Sequence, residues 1–412
     1  MRYKLKIAAL ALLGLCVLNI LLTWHSKVQN GQTQVVAQRA YNFNYSLNVS
    51  NASLSSFPNN HSQIPLINIS SYFKNFIPMK NNFWNRKQHQ MFQLLDSLLL
   101  NGSTTYSPSR TCNATKVEVE ISDVHSYSES YRDFLRYMNC KDYPQRIDHP
   151  DKCDNGTFLL LVIKSMPANF ERRQAVRETW GRELTLEGAQ VRTVFLLGSA
   201  SGEGRGPDLR WLVAFEDRLY GDLLQWEFKD TLYNLTLKDY LFLKWATAKC
   251  PNAQYIFKGD DDVFLNTPAV VKYLQSLDAG QSDKLYVGQA ILNASPLRDK
   301  NSKYNIPMSF YDGPYPAYAG GGGFLYSGCL LRSLYTVSHY IPFFPIDDVF
   351  TGMCFSALGI SSLHHSGFQT FDIEAKHRDN PCAHVTLILV HQRSPQQTTQ
   401  LWRALSNPDL KC

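Results

Sequence analysis

From Tyr41 to Tyr72 the chain carries no aspartate, glutamate, lysine or arginine, and asparagine and serine dominate. A segment so poor in charge and so rich in short polar residues has little with which to build a packed core. It reads as a stem rather than a domain, although its aromatic residues leave full disorder open. The sequence also lacks any long Lys/Arg run, and its formal net charge of +6 is modest for 412 residues. Nucleic acid is therefore not an expected partner, while a small anionic substrate stays open. None of the nine cysteines is spaced CxxC or CxxH, which argues against a zinc centre. The one glycine-rich stretch is not followed by GK[ST], so it is no Walker loop. No internal repeat is visible.

The N-terminus is more informative. Ile7 to Trp24 is an apolar stretch of 18 residues, interrupted only by Asn19 and Thr23 and preceded by Arg2, Lys4 and Lys6. That length can just span a bilayer with the basic residues left on the cytoplasmic side. A cleaved signal peptide is the competing reading, but the apolar core is long and Leu21-Leu22-Thr23-Trp24 offers no small-x-small cleavage site. The expected organisation is a cytoplasmic tail at 1–6, an uncleaved anchor at 7–24, a stem at 25–82 and a lumenal domain at 83–412. Eight of the cysteines follow the anchor, and an oxidising lumen makes disulfides the default for them. Sequons for N-glycosylation fall at Asn44, Asn48, Asn51, Asn60, Asn68, Asn101, Asn113, Asn155, Asn234 and Asn293.

Beyond the stem, "QMFQLLDSLLL" (90–100) has helical spacing. A strand–helix alternation then begins. "TFLLLVIKS" (157–165) is a continuous apolar run, as for a strand buried on both faces. "NFERRQAVRETWG" (169–181) follows as a helix ended by Gly181. "RTVFLLGS" (192–199) is a second buried strand, trailed by a helix near 208–220 and a strand at 224–228. In "NLTLKDYLFLKWATAKC" (234–250), Leu237, Leu241, Trp245 and Ala248 fall on one helical stripe. "AQYIFKG" (253–259) is the next strand. The fold class is α/β with a mainly parallel sheet, whose ligands bind beyond the C-terminal strand ends.

Four stretches carry chemistry. "IFKGDDDVFLN" (256–266) places three aspartates between apolar triplets. Burying adjacent carboxylates is costly without a compensating cation. Alternation puts Asp260 and Asp262 on one side and Asp261 on the other. Oxygens from one side suit a hard divalent cation such as Mn²⁺ or Mg²⁺, and an acidic surface turn is the bland alternative. In "YPAYAGGGGFLYSG" (315–328), four consecutive glycines allow the backbone to approach a ligand or another segment closely. Tyr315 and Tyr318 could stack on sugar rings or pack in the core. "FPIDDVFTGMC" (344–354) holds Asp347 and Asp348, which suit a helix N-cap or a carboxylate base with a raised pKa. "VTLILVHQRSP" (385–395) ends an apolar strand with His391, a polar cap or a ligand.

Taken in order, "RRQAVRETWG", "VFLLG", "NLTLK", "FKGDDDVF", "YAGGGGFLYSG", "IDDVFTGMC" and "LVHQRSP" resemble the family 31 β1,3-glycosyltransferases over roughly 83–412. The glycine run, Gly321 and Gly322 included, and the residues around Asp348 are most similar to the members that extend poly-N-acetyllactosamine. The resemblance implies a GT-A fold behind a Golgi type II anchor, with UDP-GlcNAc as donor and galactose-terminated glycans on glycoproteins or glycolipids as acceptors. Homo- or hetero-oligomers with other Golgi glycosyltransferases are compatible with it. It also implies Asp262 and His391 as metal ligands, with Asp260, Asp261, Arg173 and Arg177 toward the nucleotide sugar. Asp348 would be the catalytic base, and Asp347, Tyr315, Tyr318, Gly321 and Gly322 would face the acceptor. An exposed, salt-bridged helix face would also account for the two arginines. The pairings expected are Cys112–Cys140, Cys153–Cys250 and Cys354–Cys382, though spacing alone does not establish connectivity. A β1,3-galactosyltransferase using UDP-Gal would share this catalytic set. A glycosidase needs no metal–diphosphate site, and an inactive chaperone-like relative should lack the aspartate triplet.

Overall fold

A computed structural model describes residues 63–107, 112–153, 156–199 and 208–412. The tail, the apolar stretch 7–24, most of the expected stem and the sequons at Asn44, Asn48, Asn51, Asn60 and Asn155 lie outside the described residues. Among the described residues no helix is long and apolar enough to cross a membrane.

Among the described residues the main sheet has nine strands: β1 (Gln145–Ile147), β2 (Thr157–Lys164), β3 (Leu184–Leu186), β4 (Ala189–Ser199), β5 (Leu223–Lys229), β6 (Tyr255–Asp260), β7 (Tyr286–Gly288), β8 (Gly323–Ser327) and β9 (Leu363–His364). Their order is β9-β7-β8-β6-β2-β4-β5-β1, with β3 paired to β4. The central run β6-β2-β4-β5 is parallel. Antiparallel pairing enters where β8 lies between β6 and β7, and again at β1 and β3. The sheet is therefore mixed, with a parallel centre. Strand β2 shows why a continuous apolar run belongs there. Leu160 and Val162 enter one core layer, and Leu159, Leu161 and Ile163 enter the other. Period-two alternation thus feeds apolar side chains to both faces at once.

Helices cover both faces: α1 (Ser71–Phe76), α2 (Phe83–Leu100), α3 (Phe170–Glu178), α4 (Arg210–Tyr220), α5 (Leu235–Lys249), α6 (Asp347–Ala357) and α7 (Pro395–Leu405) among them. Helix α3 ends at Glu178, ahead of Gly181, whose amide still bonds back to Val176 O at 2.9 Å. Helix α5 is buried along most of its circumference from Thr236 to Leu243, so no single stripe defines it, and Ala248 is exposed.

Two expectations need correction. Residues 63–82, read as stem, are packed into the domain. Ile69, Phe73 and Ile77 are buried, and Ser70 bonds the C-terminal turn of α6 through Ala357 O and Ser356 O. Their spacing of four presents one apolar ridge, which the surrounding Asn and Ser conceal in a composition count. The second concerns cysteine. Cys112–Cys140 and Cys153–Cys250 are bonded, but Cys382 pairs with Cys412, not with Cys354. Cys354 is a buried free thiol inside α6, within the apolar core, whereas Cys382 lies in a half-buried turn beside the chain end.

Candidate active site

Parallel pairing of β2 and β6 sets Lys164 opposite Asp260 at the C-terminal edge of the sheet. From there the three aspartates diverge as strand alternation requires. Asp261 turns inward: it accepts from Ser165 Oγ at 2.6 Å, Asn169 Nδ2 at 2.9 Å and Arg172 Nη1 at 3.1 Å. It therefore braces the start of α3 against β6, with its oxygens taken up by protein rather than turned to a nucleotide. Asp260 and Asp262 face the other way and meet His391, with one ligand atom from each lying within 4.8 Å of the others.

His391 is placed by the short strand Leu389–Val390, which pairs antiparallel with Phe264–Leu265 just past the aspartates. Its Nδ1 stands 2.9 Å from Thr370 O and its Nε2 3.2 Å from Asp262 Oδ1, both acceptors, so the imidazolium donates to each. An imidazole anchored through Nδ1, with Nε2 facing two carboxylates, becomes a donor set that fits a divalent cation once Nε2 gives up its proton. Burial would lower the His391 pKa, but Asp262 and Asp260 outweigh it and the pKa is raised. Asp262 is held low against its burial by His391 and then Arg172. Burial raises Asp260, with Lys164 opposing.

Asp347 and Asp348 open α6, whose N-cap is Ile346 with no side-chain cap. They occupy the first turn rather than the capping position, where the helix N-terminus favours negative charge. Lys164 Nζ is buried between the two acidic groups, 2.6 Å from Asp347 Oδ2 and 3.0 Å from Asp260 Oδ1. A second buried lysine, Lys258, pairs with Asp239 and lies 4.0 Å from Asp347. Burial pushes Asp347 up, but Lys164 and Lys258 hold it below the usual carboxylate range. Its Oδ2 is thus committed to Lys164. Asp348 differs. Burial, and then the negative charge of Asp347, push its carboxyl up to about 7. Adjacent carboxyls in contrasting surroundings have separated into a permanent anion and a proton acceptor.

The glycine run packs against both centres. A Cβ on Gly321 would lie 3.0 Å from Asp348 Oδ2, and one on Gly322 would lie 2.8 Å from Thr370 Oγ1 and 3.1 Å from the His391 ring. None of the four glycines has positive φ. Close approach, rather than unusual backbone conformation, is what demands glycine here.

Three expected binding residues are used elsewhere. Arg173 is fully buried; it forks onto Glu216 and donates to Ser165 Oγ, Met166 O and Pro167 O. Arg177 is bidentate to Asp222 and also bonds Glu216. Both belong to a structural ion network, so neither presents free donors to a nucleotide. Tyr315 is 5% exposed, stacked on Tyr311 and edge-on to Phe344, hence a core residue. Tyr318 is half-buried at the site, where the Asp348 charge adds to burial in raising its pKa. The residue that does reach the cluster is Arg172, 3.1 Å from both Asp261 and Asp262. Helical spacing does not separate the two arginines, since Arg172 lies four residues before buried Val176 and Arg173 three. Lys164, ending an otherwise apolar strand, was legible as a charge at the ligand edge. Of the sequons, Asn68, Asn101, Asn113 and Asn293 are exposed, and Asn234 is half-buried with its amide donating to Lys229 O.

The sheet edge therefore presents an enzyme-like centre: a carboxylate–imidazole cluster beside a carboxyl tuned toward neutrality. Comparison with known proteins names the class. Residues 171–366 match the family described as galactosyltransferase. The chain is 44% identical over 340 residues to mouse N-acetyllactosaminide beta-1,3-N-acetylglucosaminyltransferase 2, a match covering 80% of this chain and 86% of that protein. It is 43% identical over 290 residues to rat UDP-GlcNAc:betaGal beta-1,3-N-acetylglucosaminyltransferase 7, covering 68% of this chain and 72% of that one. Human acetylgalactosaminyl-O-glycosyl-glycoprotein beta-1,3-N-acetylglucosaminyltransferase is 40% identical over 314 residues, covering 74% and 81%. The chain belongs to the galactosyltransferase family, glycosyltransferase family 31.

Proposed function

We propose that this protein is an inverting β1,3-N-acetylglucosaminyltransferase of GT-A fold that moves GlcNAc from UDP-GlcNAc to the 3-hydroxyl of a terminal galactose, extending N-acetyllactosamine chains. The observation that carries the chemistry is Asp348, a half-buried carboxyl with raised pKa set against the glycine run and next to the Asp260–Asp262–His391 cluster. In the reaction, Asp348 accepts the proton of the acceptor hydroxyl as that oxygen forms its bond to the anomeric carbon. The bond from that carbon to the diphosphate oxygen breaks on the opposite face, so the α-linked donor yields a β product. A positioned base of this kind contributes ~10²–10⁴-fold. Asp262 and His391, with Asp260, would hold Mn²⁺ or Mg²⁺, which when bound offsets charge on a departing diphosphate. Lys164 keeps Asp347 ionised next to the base, and Arg172 orients Asp262.

The reading includes a single-pass type II anchor in the Golgi membrane with a lumenal, glycosylated catalytic domain, supported by the basic residues ahead of the apolar stretch 7–24 and by the sequons after it. The test of donor and linkage is one assay. The purified full chain is offered UDP-GlcNAc and UDP-Gal with the same lactosamine acceptor, and the product linkage is determined by NMR. GlcNAc joined β1→3 to galactose is expected. Preference for UDP-Gal would move the protein to the galactosyltransferase reading, and an α product would remove direct displacement.

A further inference from the structure

Thr370 touches the glycine run and the carboxylate–imidazole cluster at once. It follows the short strand Phe368–Gln369, which pairs parallel with Leu389–Val390 and so runs beside the segment that delivers His391. The residue is 4% exposed, and each of its polar groups has a partner at or beside the site. Its carbonyl accepts from His391 Nδ1 at 2.9 Å. Its hydroxyl oxygen accepts from Gly322 N, also at 2.9 Å. Its amide donates to Gln289 Oε1 at 2.7 Å, and the Gln289 carbonyl in turn accepts from Gly320 N at 3.0 Å. Its methyl fills the space that a Cβ on Gly320 would need. Gly322, held through its amide by Thr370, accepts from Asp260 N through its carbonyl at 3.3 Å.

We propose that Thr370 is a positioning residue, a buried spacer that fixes the separation between the His391 imidazole and the base Asp348. The path is short. His391 hangs from its carbonyl and Gly322 from its hydroxyl. Gly321, next in the run, backs directly onto Asp348, where a Cβ would stand 3.0 Å from Oδ2. In a direct displacement the leaving diphosphate lies toward one centre and the attacking hydroxyl toward the other. Their separation therefore sets how the reacting atoms line up. The two attachments differ in kind. The imidazole hangs on backbone, which a side-chain replacement leaves in place, and the glycine run hangs on the hydroxyl, which a replacement removes. Serine keeps the oxygen and gives up the methyl. Valine keeps the shape and gives up the oxygen, leaving the buried Gly322 N–H without its acceptor. This inference rests on the transferase reading, with Asp348 as base and His391 as metal ligand.

The test uses the purified full chain and two readouts. One is kcat per folded molecule with UDP-GlcNAc and a lactosamine acceptor; the other is Mn²⁺ affinity by isothermal titration, which needs no turnover. Thr370→Val should lose about 10–100-fold in kcat, as misalignment of a reacting group does. Its Mn²⁺ affinity should stay within about threefold of wild type, because the carbonyl still orients His391. Thr370→Ser should bring kcat back to within about threefold. If valine prevents folding, Thr370→Ala removes the same oxygen without crowding Gly322 and carries the same expectations. Wild-type kcat in the variant that lacks the oxygen overturns the proposal. So does a Thr370→Ser enzyme as slow as that variant, which assigns the effect to the methyl. Mn²⁺ affinity that falls in step with kcat means the whole segment has given way, and this also overturns it. A wild-type chain that transfers no sugar brings down the transferase reading and this inference together, whereas an active wild type with unaffected variants brings down this inference alone.

Discussion

Gly321 leaves room for Asp348: a Cβ on the glycine would stand 3.0 Å from the carboxylate Oδ2. Because Gly321 does not have positive φ, alanine there is sterically demanding on the acid but undemanding on the backbone. Gly321→Ala should therefore fold with an almost unchanged melting temperature and lose ~10–100-fold in kcat, as misplacement of a reacting group does. Gly328→Ala is the contrast, since its Cβ would fall 1.7 Å from Ala253 O and the protein should fail to accumulate. A fully active Gly321→Ala enzyme would detach the glycine run from catalysis.

Asp348 works as a base only when ionised, and its pKa is raised by burial and by Asp347. Activity should therefore be lost as pH falls, tenfold per unit on the acid side, and retained above the raised pKa. Asp348→Asn should bind UDP-GlcNAc and lose ~10²–10⁴-fold in kcat. Asp347→Asn removes the neighbouring negative charge, so the acid limb should move to lower pH. Rate profiles from pH 5 to 9 check both, and an unmoved limb in Asp347→Asn would end the coupling argument.

For the cation, isothermal titration of Mn²⁺ reads the site without relying on turnover. Asp262→Ala and His391→Ala should each weaken Mn²⁺ binding at least tenfold, and activity should disappear on complete chelation and return with Mn²⁺. Activity that survives chelation would remove the metal from the reading, whatever the variants do.

Adjacent arginines on α3 should behave oppositely. Arg173 is buried with Glu216 and three further acceptors, so Arg173→Ala should cost about 3 kcal/mol or more in stability. Arg172 is 40% exposed and rests on Asp261 and Asp262, so Arg172→Ala should keep its melting temperature and lose activity. Denaturant melts and kcat/KM on the same preparations separate the two. The reverse pattern would restore Arg173 to the substrate site.

Peptide mapping without reduction should recover Cys112–Cys140, Cys153–Cys250 and Cys382–Cys412, with Cys354 alkylated only after unfolding. Replacing Cys153 and Cys250 together by serine opens the longest of these loops and should cost about 2–5 kcal/mol. A Cys354–Cys382 peptide would contradict the pairing described.

Local pattern by itself determined the alternation of strands and helices, the burial of β2, β4 and β6, and the opposite facing of Asp261 from Asp260 and Asp262. Those properties follow from a period of two or of 3.6 and from continuous apolar runs, which neighbouring residues encode. Tertiary structure alone decided which of two adjacent arginines reaches the aspartate cluster, which cysteine meets Cys382, and that Lys164 lies between Asp260 and Asp347. It also drew Ile69, Phe73 and Ile77 into the core from a segment that composition assigns to a stem. These are contacts between residues far apart in the chain. Their energies depend on burial and on the other partners present, and neither quantity exists until the sheet and helices have packed.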